Sequence, residues 1–140
     1  MSRFKIQTPS GWTIFVFGVM ALLLGLLGIL NPNTVLMQLG FAVVDKAQRA
    51  SHDYTLVFIT ASSMASFNMG VYYVLAALND VRQFYRWTVP FRALTFTVFT
   101  VSVLSGLAPA RFLAVAIWEL VGGIATGMAL YYEKRNRSVG

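Results

Sequence analysis

The sequence predicts an all-α integral membrane protein whose single domain is a four-helix transmembrane bundle. Apolar residues make up 57% of the 140 positions and charged residues only 11%. Soluble domains carry about 25% charged residues because their surface must face water. The apolar residues lie in four runs, each near the ~20 residues that cross the hydrocarbon core of a bilayer. A chain of this length is expected to form one domain, here covering 1–140.

The four runs are separated by residues that end helices or carry charge. The predicted helices cover about 12–30, 54–78, 89–107 and 112–132. The Thr-Pro-Ser sequence at 8–10 suits a helix start, and Asn-Pro-Asn at 31–33 ends the first helix. Pro90 is placed in the first turn of the third helix, where proline is tolerated. Ala-Pro at 108–109 separates the last two helices, which predicts a tight antiparallel hairpin.

The basic residues predict the orientation. Seven lie on the side of the termini: Arg3, Lys5, Arg82, Arg86, Lys134, Arg135 and Arg137. Three lie on the other side: Lys46, Arg49 and Arg111. Because cytoplasmic loops carry an excess of Lys and Arg, both termini are predicted to face the cytoplasm, with the chain in the cytoplasmic membrane. Five rings are expected at that same boundary: Trp12, Tyr85, Trp87, Tyr131 and Tyr132.

The net charge of +6 could suggest a nucleic-acid partner. The basic residues, however, form no stripe with interleaved aromatic residues, which is the pattern of a nucleic-acid surface. They lie in the gaps between apolar runs, so nucleic acid is excluded as a partner and the lipid bilayer is the expected one.

The long connection between the first and second helices, 31–53, is too apolar in its first half for an open loop and too short to span the membrane. Two alternatives stay open for it. It forms a short helix lying in the outer interface, or it forms a lid over the bundle.

Glu119 is the most informative position. It lies about 12 Å below the outer boundary, counting ~1.5 Å per residue along the fourth helix. An acid at that depth should face the bundle interior and have a partner, for which Asn68 on the second helix is the candidate. The functional interpretation is a ligand anchor or a proton-linked site. The structural alternative is a buried acid that holds helices together.

Arg92 lies one turn inside the third helix, on the cytoplasmic side. Its long side chain could extend to the headgroups, which the sequence analysis favours. Alternatively it points inward and pairs with Glu119 or with an anionic ligand.

Small residues at four-residue spacing predict close packing between helices. They are Ser62, Ser66 and Gly70 on the second helix, Gly123 and Gly127 on the fourth, and Ala21 and Gly25 on the first. Contact with another subunit is the alternative use of such spacing, so a homo- or hetero-oligomeric partner is also expected. The many hydroxyl residues of the third helix are expected to bond back to their own helix.

A catalytic or metal site finds little support in the sequence. The chain has no cysteine and one histidine, His52, which excludes thiolate and poly-histidine metal sites. His52 and Asp53 are the candidates for general acid–base chemistry at the outer face. No phosphate-binding loop or nucleophile elbow is present, and no cofactor is indicated.

Three pieces of the chain together resemble the DoxX-like class of small four-helix bacterial membrane proteins. They are LLGLLGILNP at the end of the first helix, Arg92 in the third, and Gly-Leu-Ala-Pro at 106–109 followed by Trp118-Glu119. The resemblance implies the four-helix fold. It also implies an accessory role, since some members of that class are proposed as accessory subunits of membrane redox systems.

Three functions therefore stay open. The sequence favours a non-catalytic accessory or interaction subunit, because packing motifs are abundant and no catalytic set is present. The second is a binder or carrier of a small lipophilic molecule at Glu119 and Asn68. The third is a membrane enzyme with a site at the outer face.

Overall fold

The computed structural model describes residues 5–137, without the side chain of Arg137, and this part of the chain is helical with no strand. The helices are α1 (Pro9–Leu30), α2 (Pro32–Gln38), α3 (Thr55–Leu78), α4 (Arg82–Leu104) and α5 (Leu113–Arg137), with 3₁₀ turns at Lys46–Gln48 and Ala110–Phe112. Three helices within the described chain are long and apolar enough to cross a membrane: Pro9–Leu30, Arg82–Leu104 and Ala110–Asn136. The all-α prediction and the prediction of membrane-spanning helices are confirmed.

The third predicted helix starts earlier than expected. It begins at Arg82 and not at 89, so Pro90 lies inside α4 and the placement of this proline in the first turn is wrong. The polar residues that lead into α4 suggested a connection, but they are held in the helix by tertiary contacts. The Arg82 guanidinium pairs with Glu133 of α5 at 2.8 Å, and the Tyr85 hydroxyl donates to the carbonyl oxygen of Ala76 at 3.1 Å.

The long helices form two antiparallel pairs. α1 packs along α3, α4 packs along α5, and contacts between α1 and α5 join the pairs. α3 and α4 meet near the turn that joins them, where the rings of Tyr73 and Phe84 are 4.9 Å apart. Elsewhere in the described chain α3 and α4 pack little against each other. The bundle is therefore open along the side between α3 and α4.

We call the two ends of the bundle the terminal face and the loop face. The terminal face holds the start of α1, the α3–α4 turn and the end of α5, while the loop face holds 31–54 and the α4–α5 turn. At the terminal face, the backbone N–H of Ser10 donates to Glu133 at 2.8 Å, and Glu133 also accepts from Arg82. This end is closed by paired polar groups. Of the predicted basic cluster, Arg3 and the Arg137 side chain lie outside the described residues.

The α1–α3 contact is close because small residues face each other. A Cβ atom on Gly18 would come within 3.1 Å of the carbonyl oxygen of Gly70. The Ser66 hydroxyl donates to the carbonyl oxygen of Ala21 at 2.9 Å, so the two helices are also hydrogen-bonded. The packing predictions for Ser66 and Gly70 are confirmed.

The predicted packing position of Ser62 is wrong by one residue. Ser62 is exposed, whereas the neighbouring Ser63 is buried and packs on Gly28 of α1. The predicted ring of interfacial aromatics also needs one correction, since Tyr85 is fully buried. The other four rings of that set are exposed.

The connection between α1 and α3 is folded onto the loop face. α2 packs on both α1 and α3, and Leu36 in its middle is buried. Gly40, at a φ of +84°, lies against the side chain of Arg111 beside the α4–α5 turn. Of the two alternatives, the contacts of α2 favour the lid.

Candidate functional site

The candidate site is a cavity of about 340 Å³ among the four long helices, which we call the inner cavity. α1 contributes Phe17, Ala21 and Leu24; α3 contributes Ser66, Met69 and Tyr73; α4 contributes Phe91, Arg92 and Thr95; α5 contributes Val115, Trp118 and Glu119. Its volume lies at the lower end of the ~300–1,000 Å³ typical of small-molecule sites. Its walls are mainly apolar and its charged groups are one arginine and one glutamate, which is the usual make-up of a site for a small amphipathic molecule.

Arg92 is the central feature of the inner cavity. Its side chain is 2% exposed, so the prediction that it extends to the headgroups is wrong and the inward alternative is correct. Nε, Nη1 and Nη2 are all buried without a hydrogen-bond partner in the described chain. A buried arginine presents five N–H donors, and leaving a buried donor unsatisfied costs about 1–3 kcal/mol.

Aromatic rings hold the guanidinium in place without using its N–H groups. The Arg92 Cζ atom lies 3.5 Å from the ring centroid of Phe17 and 5.1 Å from that of Tyr73. The Phe17 ring is in turn stacked on Trp118 at 5.7 Å. A desolvated cation–π contact contributes ~2 kcal/mol. It offsets part of the cost of burying the charge, while the donors in the plane of the guanidinium stay open.

Glycines on α5 provide the room for this side chain. A Cβ atom on Gly122 would collide with Nη1 of Arg92, and one on Gly123 would come within 3.3 Å of the Arg92 Cβ. A Cβ on Gly127, one turn further along, would make only ordinary contact with Val89 at 3.6 Å. The predicted close packing at Gly123 is supported by its contact with Arg92 of α4, whereas the contacts of Gly127 do not require a glycine. Gly122 has the separate role of making space for the guanidinium.

Glu119 is half-buried and lines the same cavity as Arg92. The charged group that acts on its carboxyl is the Arg92 guanidinium, but the two form no direct hydrogen bond. The carboxyl therefore has a countercharge nearby and open coordination. The inward orientation predicted for Glu119 is confirmed.

Asn68 is not the partner of Glu119. It lies exposed on α3 and is not among the residues that line the inner cavity. The residues of α3 that line the inner cavity are Ser66, Met69 and Tyr73. Asn68 was the candidate because it is a polar residue within the apolar run of the second helix, but position along a helix does not determine which way a side chain points around it.

A second cavity, of about 330 Å³, lies beside the first toward the loop face, and we call it the outer cavity. The two share Leu24, Ser66 and Val115 in their walls. The outer cavity is covered by α2 through Val35 and Gln38. The lid therefore lies over a space that adjoins the Arg92 site.

The outer-face candidates are not at either cavity. His52 is exposed, and neither His52 nor Asp53 lines the inner or outer cavity. Asp53 accepts from the backbone N–H of Thr55 at 2.9 Å and pairs with Arg49 at 2.7 Å. Hydrogen bonds from Thr55 and then the charge of Arg49 lower the pKa of Asp53. Asp53 thus orders the start of α3.

The inner cavity holds a guanidinium, a group of hydrogen-bond donors, among mainly apolar walls. Within residues 5–137, no group of His, Cys, Asp and Glu is placed to hold a metal ion. The hydroxyl of Thr95 is bonded back to the Phe91 carbonyl at 3.0 Å, as expected for this helix. The charged groups of the inner cavity are the Arg92 guanidinium and the Glu119 carboxyl, and the guanidinium nitrogens have no hydrogen-bond partner in the described chain.

Sequence reasoning missed the aromatic cradle of Arg92, formed by Phe17, Tyr73 and Trp118. Rings in an apolar helix carry no signal that separates those facing lipid from those facing a cation. Gly122 was a recognisable signal, because a second glycine beside Gly123 exceeds what a four-residue packing repeat needs. No protein-family model, no curated protein and no solved structure matches the chain.

Proposed function

We propose that this chain is a non-catalytic, four-crossing membrane protein that binds a small lipophilic molecule in the inner cavity. The observation that carries the proposal is the Arg92 guanidinium, buried with all three nitrogens unpartnered beside a cavity. An inert bundle would be at least as stable with an apolar residue of similar volume at this position. A ligand with an acceptor atom supplies what the protein leaves open.

The fourth crossing is α3. Its 24 residues run antiparallel to the 22 of α1 and contact that helix from Gly18 to Gly28. Two hydroxyls that make α3 less apolar are already bonded, Ser63 to the Ile59 carbonyl at 2.7 Å and Ser66 to α1. Since a bilayer that encloses α1 also encloses its partner, α3 crosses with it.

The terminal face lies in the cytoplasm in this proposal. Described basic residues gather there, among them Arg82, Arg86 and Lys134, while the loop face carries Lys46, Arg49 and Arg111. Exposed Trp12 and Tyr131 belong to the same boundary. An excess of Lys and Arg is the usual marker of the cytoplasmic side, and exposed Trp and Tyr rings mark a membrane–water interface on either side. A bacterial cytoplasmic membrane is the proposed location.

Access to the site runs through the open side of the bundle. Because α3 and α4 pack little beyond their connecting turn, the inner cavity faces the acyl chains between them. The outer cavity under α2 provides a further route from the loop face. A lipophilic molecule dissolved in the bilayer can reach Arg92 without crossing water.

A brominated neutral probe tests binding. Trp118 lines the inner cavity, and together with Trp12 it also lines a groove between α1 and α5. A variant with Trp12 and Trp87 changed to Phe leaves Trp118 as the one reporter, and in lipid nanodiscs ω-bromodecanol is expected to quench it saturably. A matched variant that retains Trp87 alone, an exposed residue of α4 outside both cavities, reports general partitioning, and its quenching should rise linearly.

A cavity-filling pair provides the control. Val115→Phe narrows both cavities and is expected to abolish saturable quenching, whereas Ile124→Phe, on the exposed side of the same helix, leaves it unchanged. Equal saturable quenching in both variants would contradict the proposal.

A second candidate function, interaction with another membrane chain, is supported by Asn68. Its amide lies on the exposed side of α3 beside Ala61 and Ala65 and has no hydrogen bond within the described chain. An amide exposed to lipid is unfavourable and drives helix association. An asparagine is both donor and acceptor, so it suits a two-fold interface with a second copy of this chain.

Self-association tests the second candidate. Energy transfer between labelled copies in liposomes should fall when Asn68 is changed to Leu, and should be unchanged in Met64→Leu, on an exposed position of the same helix. Equal transfer in the wild type and in Asn68→Leu would rule out this interface.

A further inference from the structure

We infer that the ligand of the inner cavity is a lipophilic monoanion of the carboxylate class, and that Glu119 takes up one proton when it binds. This inference rests on the proposed function and names the ligand chemistry of that same site. It follows from which donors are open, which charges face the cavity, and how those charges balance when an anion is added.

The open donors select for an anion with two acceptor atoms. Phe17 covers a face of the Arg92 guanidinium at 3.5 Å, so the N–H groups in its plane are the ones available to a ligand. Those groups form a rigid fork that matches the two oxygens of a carboxylate. The surrounding apolar walls, with Ala21, Leu24 and Met69 among them, accommodate an acyl chain.

Few ionisable groups face the cavity. α1 contributes none, α3 contributes Tyr73, α4 contributes Arg92, and α5 contributes Glu119. Without ligand, the positive charge of Arg92 and the negative charge of an ionised Glu119 sum to zero. The half-buried Glu119 carboxyl is therefore the countercharge that keeps the empty site neutral.

An incoming carboxylate disturbs that balance. Arg92 with two carboxylates would leave one net negative charge in a cavity walled by apolar side chains, which is unfavourable. Two carboxylates that share a site keep one proton between them. A proton from the aqueous phase therefore binds the Glu119 carboxyl as the ligand anion binds Arg92. The occupied site is again neutral, so the protein takes up a carboxylate and a proton together.

Glu119 consequently competes with the ligand for Arg92. Changing Glu119 to Gln removes the competing charge and keeps the size of the side chain. The variant is expected to bind a carboxylate more tightly than the wild type at high pH, and its affinity should not depend on pH through this position. A purely structural acid would give the opposite result, because its loss would weaken the site.

The experiment uses the protein that retains Trp118 as its one tryptophan, in nanodiscs of uncharged phosphatidylcholine. The probes are ω-bromodecanoate, ω-bromodecanol and ω-bromodecyltrimethylammonium, which share one chain and differ in charge. Affinities are measured between pH 6 and pH 8 and corrected for partitioning into protein-free nanodiscs.

For the wild type, bromodecanoate should bind at least about tenfold more tightly than bromodecanol at pH 6, which corresponds to ~1.4 kcal/mol. Its affinity should fall by up to about tenfold per pH unit as the linked proton becomes scarcer, while that of bromodecanol stays constant. The cationic probe should not bind saturably. In Glu119→Gln the bromodecanoate affinity at pH 8 should exceed that of the wild type, and in Arg92→Met the preference for bromodecanoate should be lost.

The outcomes separate the two proposals. Saturable bromodecanol binding with no preference for bromodecanoate would overturn the carboxylate inference and leave the binding function standing. A weaker bromodecanoate affinity in Glu119→Gln at pH 8 would overturn the proton linkage. Absence of saturable binding by all three probes would overturn the proposed function itself.

Discussion

Two arginine–glutamate pairs join α4 to α5, and they are built in opposite ways. At the terminal face, Arg82 and Glu133 form a direct ion pair of 2.8 Å, and Glu133 also accepts from the Ser10 backbone N–H at 2.8 Å. Deeper in the bundle, Arg92 and Glu119 face one cavity without a direct contact, and every guanidinium nitrogen is unpartnered.

The difference shows how the same residue types serve structure at one level and recognition at another. Arg82 donates through Nη1 to Glu133 and through Nε to Asp80, so these direct bonds stabilise the terminal face. In the Arg92–Glu119 pair, the missing side chain at Gly122 makes room for Nη1 of Arg92, and the guanidinium donors stay unpartnered. The Arg92–Glu119 pair is singled out because the Arg92 guanidinium is both buried and without a hydrogen-bond partner.

The largest expected change in stability comes from breaking the Arg82–Glu133 ion pair. Changing Glu133 to Ala removes acceptors from Arg82 and from the Ser10 N–H, and hydrogen bonds to charged groups contribute about 1.5–3 kcal/mol each. We expect the free energy of unfolding in detergent micelles to fall by ~2 kcal/mol. Lys134→Ala, at the exposed neighbouring residue, is the control and should change it by less than ~0.5 kcal/mol. If Glu133→Ala were as stable as the wild type, the Arg82–Glu133 pair would not be structural, and the contrast with the Arg92–Glu119 pair would be lost.

Removing the Arg92–Glu119 pair should raise the free energy of unfolding. Replacing both Arg92 with Met and Glu119 with Gln removes a buried charge and its countercharge without breaking a direct bond between them. We expect the ligand-free double variant to be ~1 kcal/mol more stable than the wild type in the same unfolding measurement. Arg86→Met, at an exposed arginine of α4, should leave the stability unchanged. A loss as large as that of Glu133→Ala would make Arg92 a structural residue.

The role of Gly122 can be separated from general packing. An alanine at this position collides with Nη1 of Arg92, whereas Gly127→Ala makes only ordinary contact with Val89. We expect Gly122→Ala to lower the affinity for bromodecanoate by about tenfold, since a misplaced charged donor loses ~1.5 kcal/mol or more. Gly127→Ala should bind as the wild type does. Equal binding by both glycine variants would show that the guanidinium position is unimportant.

The smallest expected effect concerns Asp53, a paired acid outside the cavities. Its pKa is lowered from 3.8 by hydrogen bonds from Thr55 and by Arg49. A carboxyl whose folded-state pKa is depressed contributes stability that is present above its unfolded value and lost as pH falls through the folded one. The protection factor of the Thr55 amide, which is its exchange rate corrected for the intrinsic pH dependence of exchange, should therefore stay high above pH 3.8 and fall at lower pH.

Two aspartates of the loop face are compared in that measurement. At pH 5 the Thr55 exchange should be faster in Asp53→Ala. It should be unchanged in Asp45→Ala, because the Asp45 side chain makes no capping hydrogen bond. Faster exchange in both variants would point to general loosening of the loop face.

Much of the fold could be predicted from the sequence, because apolar run length is a local property. The ends of α1 lie close to their predicted positions, since Pro9 and Asn31 act on the neighbouring backbone. The ends of α3 also lie within a residue of the predicted 54–78. The start of α4 could not be predicted, because Arg82 is drawn into the helix by Glu133, a residue distant in the chain.

The sequence by itself determined that the chain is helical and apolar enough to cross a membrane, and that an acid and an arginine lie among its apolar runs. Only the tertiary structure decided which groups meet. It turned Arg92 inward, placed Asn68 on the exposed side of α3, and left Gly122 beside the guanidinium. The physical reason is that composition and run length control transfer into lipid, whereas the rotation of each helix about its axis depends on packing against all the others.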